Sequence, residues 1–498
     1  MVSLAIGLLS IRILWRTLGS DGYGVLTAIN ASGSMLNFFS TALLSSSQRH
    51  LSFVIGKGNE QQSRLTFNAV QLTYISLAVT FALVAILLKD FVLLQLSVPE
   101  KFRSQAPLIY LASIGTFGST ILLMPYRAAF RAHQEIPITA GIDSLSRVAL
   151  FLAALSLPWF GSSAIVFYAY MTMFIAATFG LLTMMLATRK YDEVSIFPRT
   201  VPLSQITPVL SFAGWKFWDS LAFALREQGS VVLINSYFGA AANAAYAVGQ
   251  QLTAHMVSLA TAINSALAPA AATSEGEASV DRSLQISTIG SKYPFIISLC
   301  IGLPIFVYPS TLLEIITGLE PDETSIMFLR ILLCIRLCGM LSWGDMLIAD
   351  AKGKVARVAL LNSIPFLIGF FAITMVWRQA RWESPVILPW TMFAVTFIIS
   401  IVAKPIAIGP LFGRDYGTFI QAVILPALTT ILAGAVPCQV CKAIFGENYL
   451  SLLTASLTTS LAIVIAAWSI GTDAWERRYW RDLYHRISRK IYRSVSLG

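Results

Sequence analysis

The sequence predicts an all-α polytopic membrane protein of about fourteen transmembrane helices, built as two six-helix lobes followed by two additional helices. Three observations carry this. Hydrophobic residues make up 56% of the 498-residue chain and charged residues only 12%, where a soluble globular protein is about one quarter charged. The mean hydropathy of +0.71 is high for a whole chain. Apolar runs near the ~20 residues needed to cross ~30 Å of hydrocarbon recur from one end to the other, and no connection is long enough to hold a folded domain.

Taken in order, the candidate spans lie near residues 1–14, 25–47, 66–88, 105–126, 138–158, 163–187, 208–236, 244–272, 290–316, 326–348, 355–377, 384–403, 416–436 and 448–470. The first is short: its helix would rise only about 21 Å. Met1 leads straight into apolar residues without a basic region, and no small-residue cleavage site follows, so a cleaved signal peptide is not expected. The seventh span is the most charged. The longest inner connection, 188–207, separates an N-terminal lobe (1–187) from a second lobe (208–403). Two additional spans (404–470) and a basic tail (471–498) complete the chain.

The net charge of +10 raises nucleic acid as a partner, but its distribution points to a membrane. With alternate connections assigned to opposite sides, 22 of the loop and tail Lys and Arg fall on one side and 7 on the other, with 6 inside spans. The positive-inside rule places the richer side, both termini and 188–207 in the cytoplasm. In the tail, Arg477, Arg478, Arg481, Arg486, Arg489, Lys490 and Arg493 interleave with Trp475, Tyr479, Trp480, Tyr484 and Tyr492. That is the pattern of an interfacial helix on anionic headgroups, and no nucleic-acid partner is expected.

The cysteines give little chemistry. Cys300, Cys334 and Cys338 fall in spans as small apolar residues. Cys438 and Cys441 form a C-x-x-C that suits inert thiols or a local disulfide; a zinc site would need two further ligands. No metal and no cofactor are expected. Of the four histidines, His50, His133 and His485 sit at the cytoplasmic boundary or in the tail. His255 alone lies in a span, where it packs against a neighbouring helix or relays a proton. No embedded acidic–histidine constellation and no catalytic loop is present, so an enzyme is not expected.

The two lobes open alike. The first span is followed by Leu18-Gly19 and Tyr23-Gly24, the seventh by Phe238-Gly239 and Tyr246-Ala247. Six spans per lobe would give both lobes one orientation, related by a pseudo-two-fold axis along the membrane normal with a cavity between them.

Charges inside the spans cost at least about 2.5–3.5 kcal/mol each at the bilayer centre, so they mark protein or water rather than lipid. In the seventh span Lys216, Asp219, Arg226 and Glu227 fall within an arc of about 100°. Two readings stand: internal ion pairs, or a cavity wall that binds an anion or cycles a proton. Asp143 and Arg147, at i,i+4, either pair with each other or snorkel. Arg330 lies near the outer end of span ten and Arg336 near its middle. Arg12 and Arg16 share a face at the end of span one. Asp345 and Glu314 lie near boundaries and are expected to reach water. Gln250, Gln251 and Asn264 join His255 in span eight as polar cavity candidates or as interhelical hydrogen bonds. The balance is basic: Arg12, Arg16, Arg147, Lys216, Arg226 and Arg336 are the anion-binding candidates, and Asp143, Asp219 and Glu227 the ion-coupling candidates. Arginine suits phosphate because its planar fork binds two oxygens.

Arg16-Thr-Leu18-Gly19-Ser-Asp-Gly22-Tyr23-Gly24 resembles the opening R-x-L-G-x-x-x-Y-G segment of polysaccharide (O-antigen type) lipid-linked oligosaccharide flippases. These belong to the multidrug/oligosaccharidyl-lipid/polysaccharide (MATE-like) exporter superfamily. Pro125-Tyr-Arg127 through Phe130-Arg131-Ala132-His133-Gln134-Glu135 looks like that family's stretch after span four. Phe212-Ala-Gly214-Trp215 through Phe238-Gly239 to Tyr246 and Pro269 is similar to the start of its second lobe, and Ala349-Asp-Ala351-Lys-Gly353 to its turn after span ten. The resemblance covers most of the first ten spans and little of the last four; the short first span departs from it.

What the resemblance implies is a V-shaped cavity between two six-helix bundles and an undecaprenyl-pyrophosphate-linked oligosaccharide as substrate. The headgroup would cross the bacterial inner membrane by alternating access during surface polysaccharide (O-antigen, lipopolysaccharide) biosynthesis. Implied partners are membrane lipids, a coupling ion (H+ or Na+) and other glycan-assembly membrane proteins. The alternatives are an ion-coupled multidrug or small-molecule antiporter of the same superfamily, which would want a more acidic cavity, and a non-transporting membrane scaffold of a glycan assembly complex.

Overall fold

A computed structural model describes residues 2–35, 38–56, 59–197, 201–202, 221–276, 279–380, 384–469 and Glu476. No strand occurs among them. The long helices are α1 Val2–Met35, α2 Phe38–Gly56, α3 Glu60–Leu87, α4 Ala106–Ala132, α5 Ile136–Leu155, α6 Ala164–Lys190, α7 Ser230–Gly276, α8 Val280–Val307, α9 Glu323–Met340, α10 Trp343–Ala351, α11 Val355–Ala380, α12 Ile387–Phe397, α13 Leu425–Phe445 and α14 Tyr449–Ser469. Among the described residues ten stretches are long and apolar enough to cross a membrane, and α9 with α10, bent by 42°, makes up to an eleventh. The chain is an all-α, multi-pass membrane protein. A helix satisfies its backbone internally, which lipid cannot do for it, so an apolar chain of this length has few other options.

Two compact units divide the described chain. The first holds residues 1–255, 312–332 and 354–399, and the second 256–311, 333–353 and 400–498. In the first, α4 packs along α6, α3 and α2, and α1 along α5 and α4. In the second, α13 and α14 pack on each other and on α8, which also packs on α10.

The packing logic is that of lipid rather than water. On α14 the buried stripe is Ser451, Ala455, Thr459, Ile463 and Ala466, mostly small, whereas Leu450, Leu453, Leu457, Leu461 and Val464 are exposed. Small side chains let helix backbones approach, and leucines outside lose nothing in contact with acyl chains. Gly434 on α13 shows the tolerance: a Cβ there would stand 2.7 Å from Ile463 and 2.8 Å from Leu303.

The glycine turns expected after the first and seventh spans are single-residue breaks in the helical backbone. α1 runs through Gly19, whose φ/ψ of 73°/174° is not helical, and α7 runs through Gly239 at 86°/178°. Glycine alone adopts this region readily. A Cβ at either position would meet nothing within 4 Å, so the backbone and not space demands glycine here. Just past the breaks the two helices cross closely. A Cβ on Gly24 would fall on the Ala240 carbonyl, and Asn243 Nδ2 donates to the Gly24 carbonyl (2.9 Å) and to Thr27 Oγ1 (3.1 Å). The sequence likeness between the two openings thus has a backbone counterpart.

The start of the 188–207 connection is fastened to the first unit. Gln71 Nε2 donates to the Ile196 carbonyl at 2.7 Å and to Tyr126 Oη at 3.0 Å, and Ser195 Oγ to Asn68 Oδ1 at 3.0 Å. Between α4 and α5, Gln134 adopts a left-handed φ of 60°. On either side of it, His133 pairs with Glu193 and stacks on Tyr191 at 4.0 Å, while Glu135 accepts from Tyr191 Oη (2.7 Å) and Lys190 Nζ (2.6 Å).

Candidate functional site

The charged groups within the spans form two contrasting sites, one in each unit. In the first unit, Leu225–Gly229 winds as a single π-helical turn just before α7. Such a turn leaves a backbone carbonyl poorly served and often marks a functional position. Here Gln250 Nε2 donates to the Glu227 carbonyl at 3.0 Å and Ser230 Oγ to the Arg226 carbonyl at 2.6 Å. Within the turn, Arg226 Nε donates to Glu227 Oε1 at 3.0 Å, with the two side chains 22% and 13% exposed. The guanidinium also lies 5.2 Å from the Phe223 ring centre and 5.1 Å from that of Phe366 on α11. An arginine held over two aromatic faces keeps its charge at low desolvation cost. It also retains edge donors for a planar oxyanion.

The neighbouring sequence candidates divide. Gln251 accepts from Tyr23 Oη on α1 at 3.0 Å, an interhelical hydrogen bond, and Gln250 also donates to Tyr246 Oη at 3.3 Å within α7. His255 faces Gly7 of α1, whose Cβ would stand 3.0 Å from Nε2, and it interacts electrostatically with Arg147. Arg12 is half-buried and Arg16 exposed, the latter with its guanidinium against Gly318. Asp143 does not choose its i,i+4 neighbour: its partner is Arg127 of α4, through both guanidinium nitrogens. The α4–α5 hairpin brings these residues together, and Arg127, expected in the connection after span four, lies inside the helix. Lys216 and Asp219 lie outside the described residues.

The second site corrects the sequence reading outright. Asp345, expected to reach water, is fully buried, and so is Arg414, expected in a cytoplasmic connection. Ser287 Oγ donates to Asp345 Oδ1 at 2.6 Å and accepts from Arg414 Nη1 at 3.0 Å, while Arg414 Nη2 pairs with the same Asp345 oxygen. Phe412 and Phe419 flank the guanidinium at 5.2 and 4.9 Å. Gly344 allows the approach: a Cβ there would fall on the Ser287 carbonyl, and its N–H donates to Ser291 Oγ at 3.1 Å. Lys404, 5% exposed, contacts Met346 Sδ at 3.2 Å. A further buried pair joins Lys292 to Glu476 at 2.6 Å. Nothing in local spacing could reveal these contacts, since Asp345 and Arg414 are 69 residues apart. Arg336 of α9 is half-buried in this unit. Cys438 and Cys441 are free thiols, Cys438 fully buried against Val307, Tyr308 and Ala455.

No family model matches the chain, and no curated protein matches it at a significant level. Solved structures do. The lipid II flippase MurJ in an inward closed conformation is 10% identical and superposes with a TM-score of 0.66 over 97% of this chain and 98% of that one. An inward-facing multidrug resistance MATE transporter of the MOP superfamily is 11% identical, with a TM-score of 0.69 over 82% of this chain and 95% of that one. A MOP superfamily transporter from Pyrococcus furiosus with a binding pocket of reversed polarity is 11% identical, with a TM-score of 0.59 over 84% and 95%. The chain therefore shares the fold of these solved MurJ and MATE structures.

Proposed function

We propose that this protein moves a lipid-linked oligosaccharide across a bacterial inner membrane, with an undecaprenyl-pyrophosphate anchor and with both termini in the cytoplasm. The observation that carries the reading is Arg226. It is a cation inside the spans, held over Phe223 and Phe366 in a π turn and still 22% exposed, which suits it to a pyrophosphate. Two features support a lipid-linked substrate over a drug. The flippase likeness extends over 97% of the chain and the MATE likeness over 82%. The span charges are also mainly basic, and a cationic drug would want the opposite. Division into lobes at 188–207 and coupling to H+ or Na+ through Asp143 or Glu227 belong to the same proposal.

The test is a deletion strain. The expected result is an undecaprenyl-linked oligosaccharide accumulating on the cytoplasmic side and loss of the corresponding surface glycan, both restored by the wild-type gene. Arg226→Ala and Arg336→Ala should each restore membrane abundance but not export. Full export from both variants would remove these arginines from transport and favour a scaffold.

A further inference from the structure

The first unit contains a cavity that neither the charged sites nor the fold likeness assigns. Its volume is about 430 Å³, and its lining includes Trp15, Ser20, Phe238, Ala241, Asp322 and Ser325. That size is within the range of small-molecule sites. The cavity opens where both long helices break, since Ser20 follows Gly19 and Phe238 precedes Gly239. Trp15 presents a large flat face, held by a tilted contact with Tyr23 at 5.6 Å.

The lining chemistry discriminates among ligands. An anion is disfavoured, because among the described residues no Lys or Arg borders the cavity and Asp322 does. Asp322 caps the start of α9, where its Oδ1 accepts from the Ser325 N–H at 3.3 Å and from Ser325 Oγ. Its other oxygen stays open to a ligand donor, and competition by tetraphenylphosphonium separates a cation from a sugar hydroxyl. The lining offers aromatic surface beside hydroxyls and the spare lone pairs of a capped carboxylate. Neutral sugars match this: their C–H faces stack on indole and their hydroxyls both donate and accept.

We propose that this cavity is a saccharide subsite that holds one or two uncharged sugar residues through Trp15 and Asp322. It rests on the lipid-linked oligosaccharide reading and gives the sugar a place of its own, apart from the phosphate chemistry assigned to Arg226.

The test uses the full-length protein in nanodiscs and saturation-transfer NMR with lactose, cellobiose and N,N′-diacetylchitobiose, each at millimolar concentration. At least one disaccharide should receive saturation. Trp15→Ala should cut it at least fivefold, and Trp15→Phe, which keeps a smaller stacking face, two- to threefold. Tetraphenylphosphonium and inorganic pyrophosphate should not compete. Absence of transfer to all three sugars, transfer unchanged in Trp15→Ala, or displacement by tetraphenylphosphonium would each overturn the subsite. The two proposals fail separately. An accumulating lipid-linked intermediate with Trp15-independent sugar binding refutes the subsite alone. Trp15-dependent binding in a strain that accumulates no such intermediate refutes the substrate reading alone.

Discussion

The ion pair of the first unit and that of the second are made of the same chemical groups and have opposite characters. Arg226 and Glu227 are adjacent in sequence, share a π turn and remain partly exposed. Asp345 and Arg414 come from distant parts of the chain, are 0% and 1% exposed, and share Ser287 as a third member. The first pair joins neighbours within one turn, with Arg226 also lying over Phe366 of α11. The second joins α10 and α8 to the connection before α13. Burial converts a charge into a constraint, because each partner has no alternative to the other once water is gone. Partial exposure leaves a charge available to a substrate.

The largest effect should come from breaking the buried pair. Asp345→Asn leaves Arg414 charged and deprived of its counterion, at a cost of about 3–5 kcal/mol. Membrane abundance and the midpoint of thermal unfolding in detergent should both fall sharply. The double variant Asp345→Leu with Arg414→Met should recover much of that loss, since an apolar pair of similar volume is often tolerated. A single variant as stable as wild type would show that the cluster is not a constraint.

Next in size is the backbone break. Gly239→Ala forces a φ of 86° on a residue with a Cβ, although no neighbour would clash. A residue held in such a region costs about 1–3 kcal/mol. Gly19→Ala should behave alike, because its φ/ψ is nearly the same. Unequal losses, measured by thermal unfolding, would mean that the two breaks are not equivalent despite their shared geometry.

Arg226→Ala should cost less stability than Asp345→Asn, because Arg226 and Glu227 stay partly exposed where Asp345 and Arg414 are not. Export of the surface glycan should nevertheless drop at least tenfold, and Arg226→Lys should restore part of it. If Arg226→Ala instead destabilised the protein as much as Asp345→Asn, the contrast between the two pairs would be gone.

What the sequence made legible follows from the range of the interactions concerned. The spans are read from runs of apolar residues: fourteen are expected, and among the described residues ten stretches, or eleven with the bent pair, are long and apolar enough to cross. The paired glycine openings at Gly19 and Gly239 are local, and their shared backbone geometry appears in the structure. Asp143 illustrates the limit. Its i,i+4 neighbour Arg147 is visible in the sequence, but the α4–α5 hairpin gives it Arg127. Asp345 near a helix end suggests contact with water, and only the fold brings Arg414 and Ser287 onto it. The Trp15 cavity was equally hidden, because its lining comes from α1, α7 and the start of α9.

The smallest effect expected is a pH dependence at the start of the 188–207 connection. The Glu135 carboxyl is held below the usual carboxylate range by hydrogen bonds from Lys190 and Tyr191 and by the nearby Lys190 and His133 charges. A group whose pKa is lower in the folded state stabilises that state above its unfolded value, about 4.3 for glutamate. The contribution fades as pH falls through the lower folded value. Tyr191 moves the opposite way: burial and its bond to Glu135 push its hydroxyl well above its ordinary value, so it stays a donor at any pH used here. Thermal unfolding of wild type and Glu135→Gln should therefore differ at pH 6, with wild type the more stable, and the gap should close as pH falls toward about 3. Arg226 and Glu227 lie on another element and should leave the gap unaltered in an Arg226→Ala background. A gap that persists at low pH would assign the difference to the shape of the side chain and not to its charge.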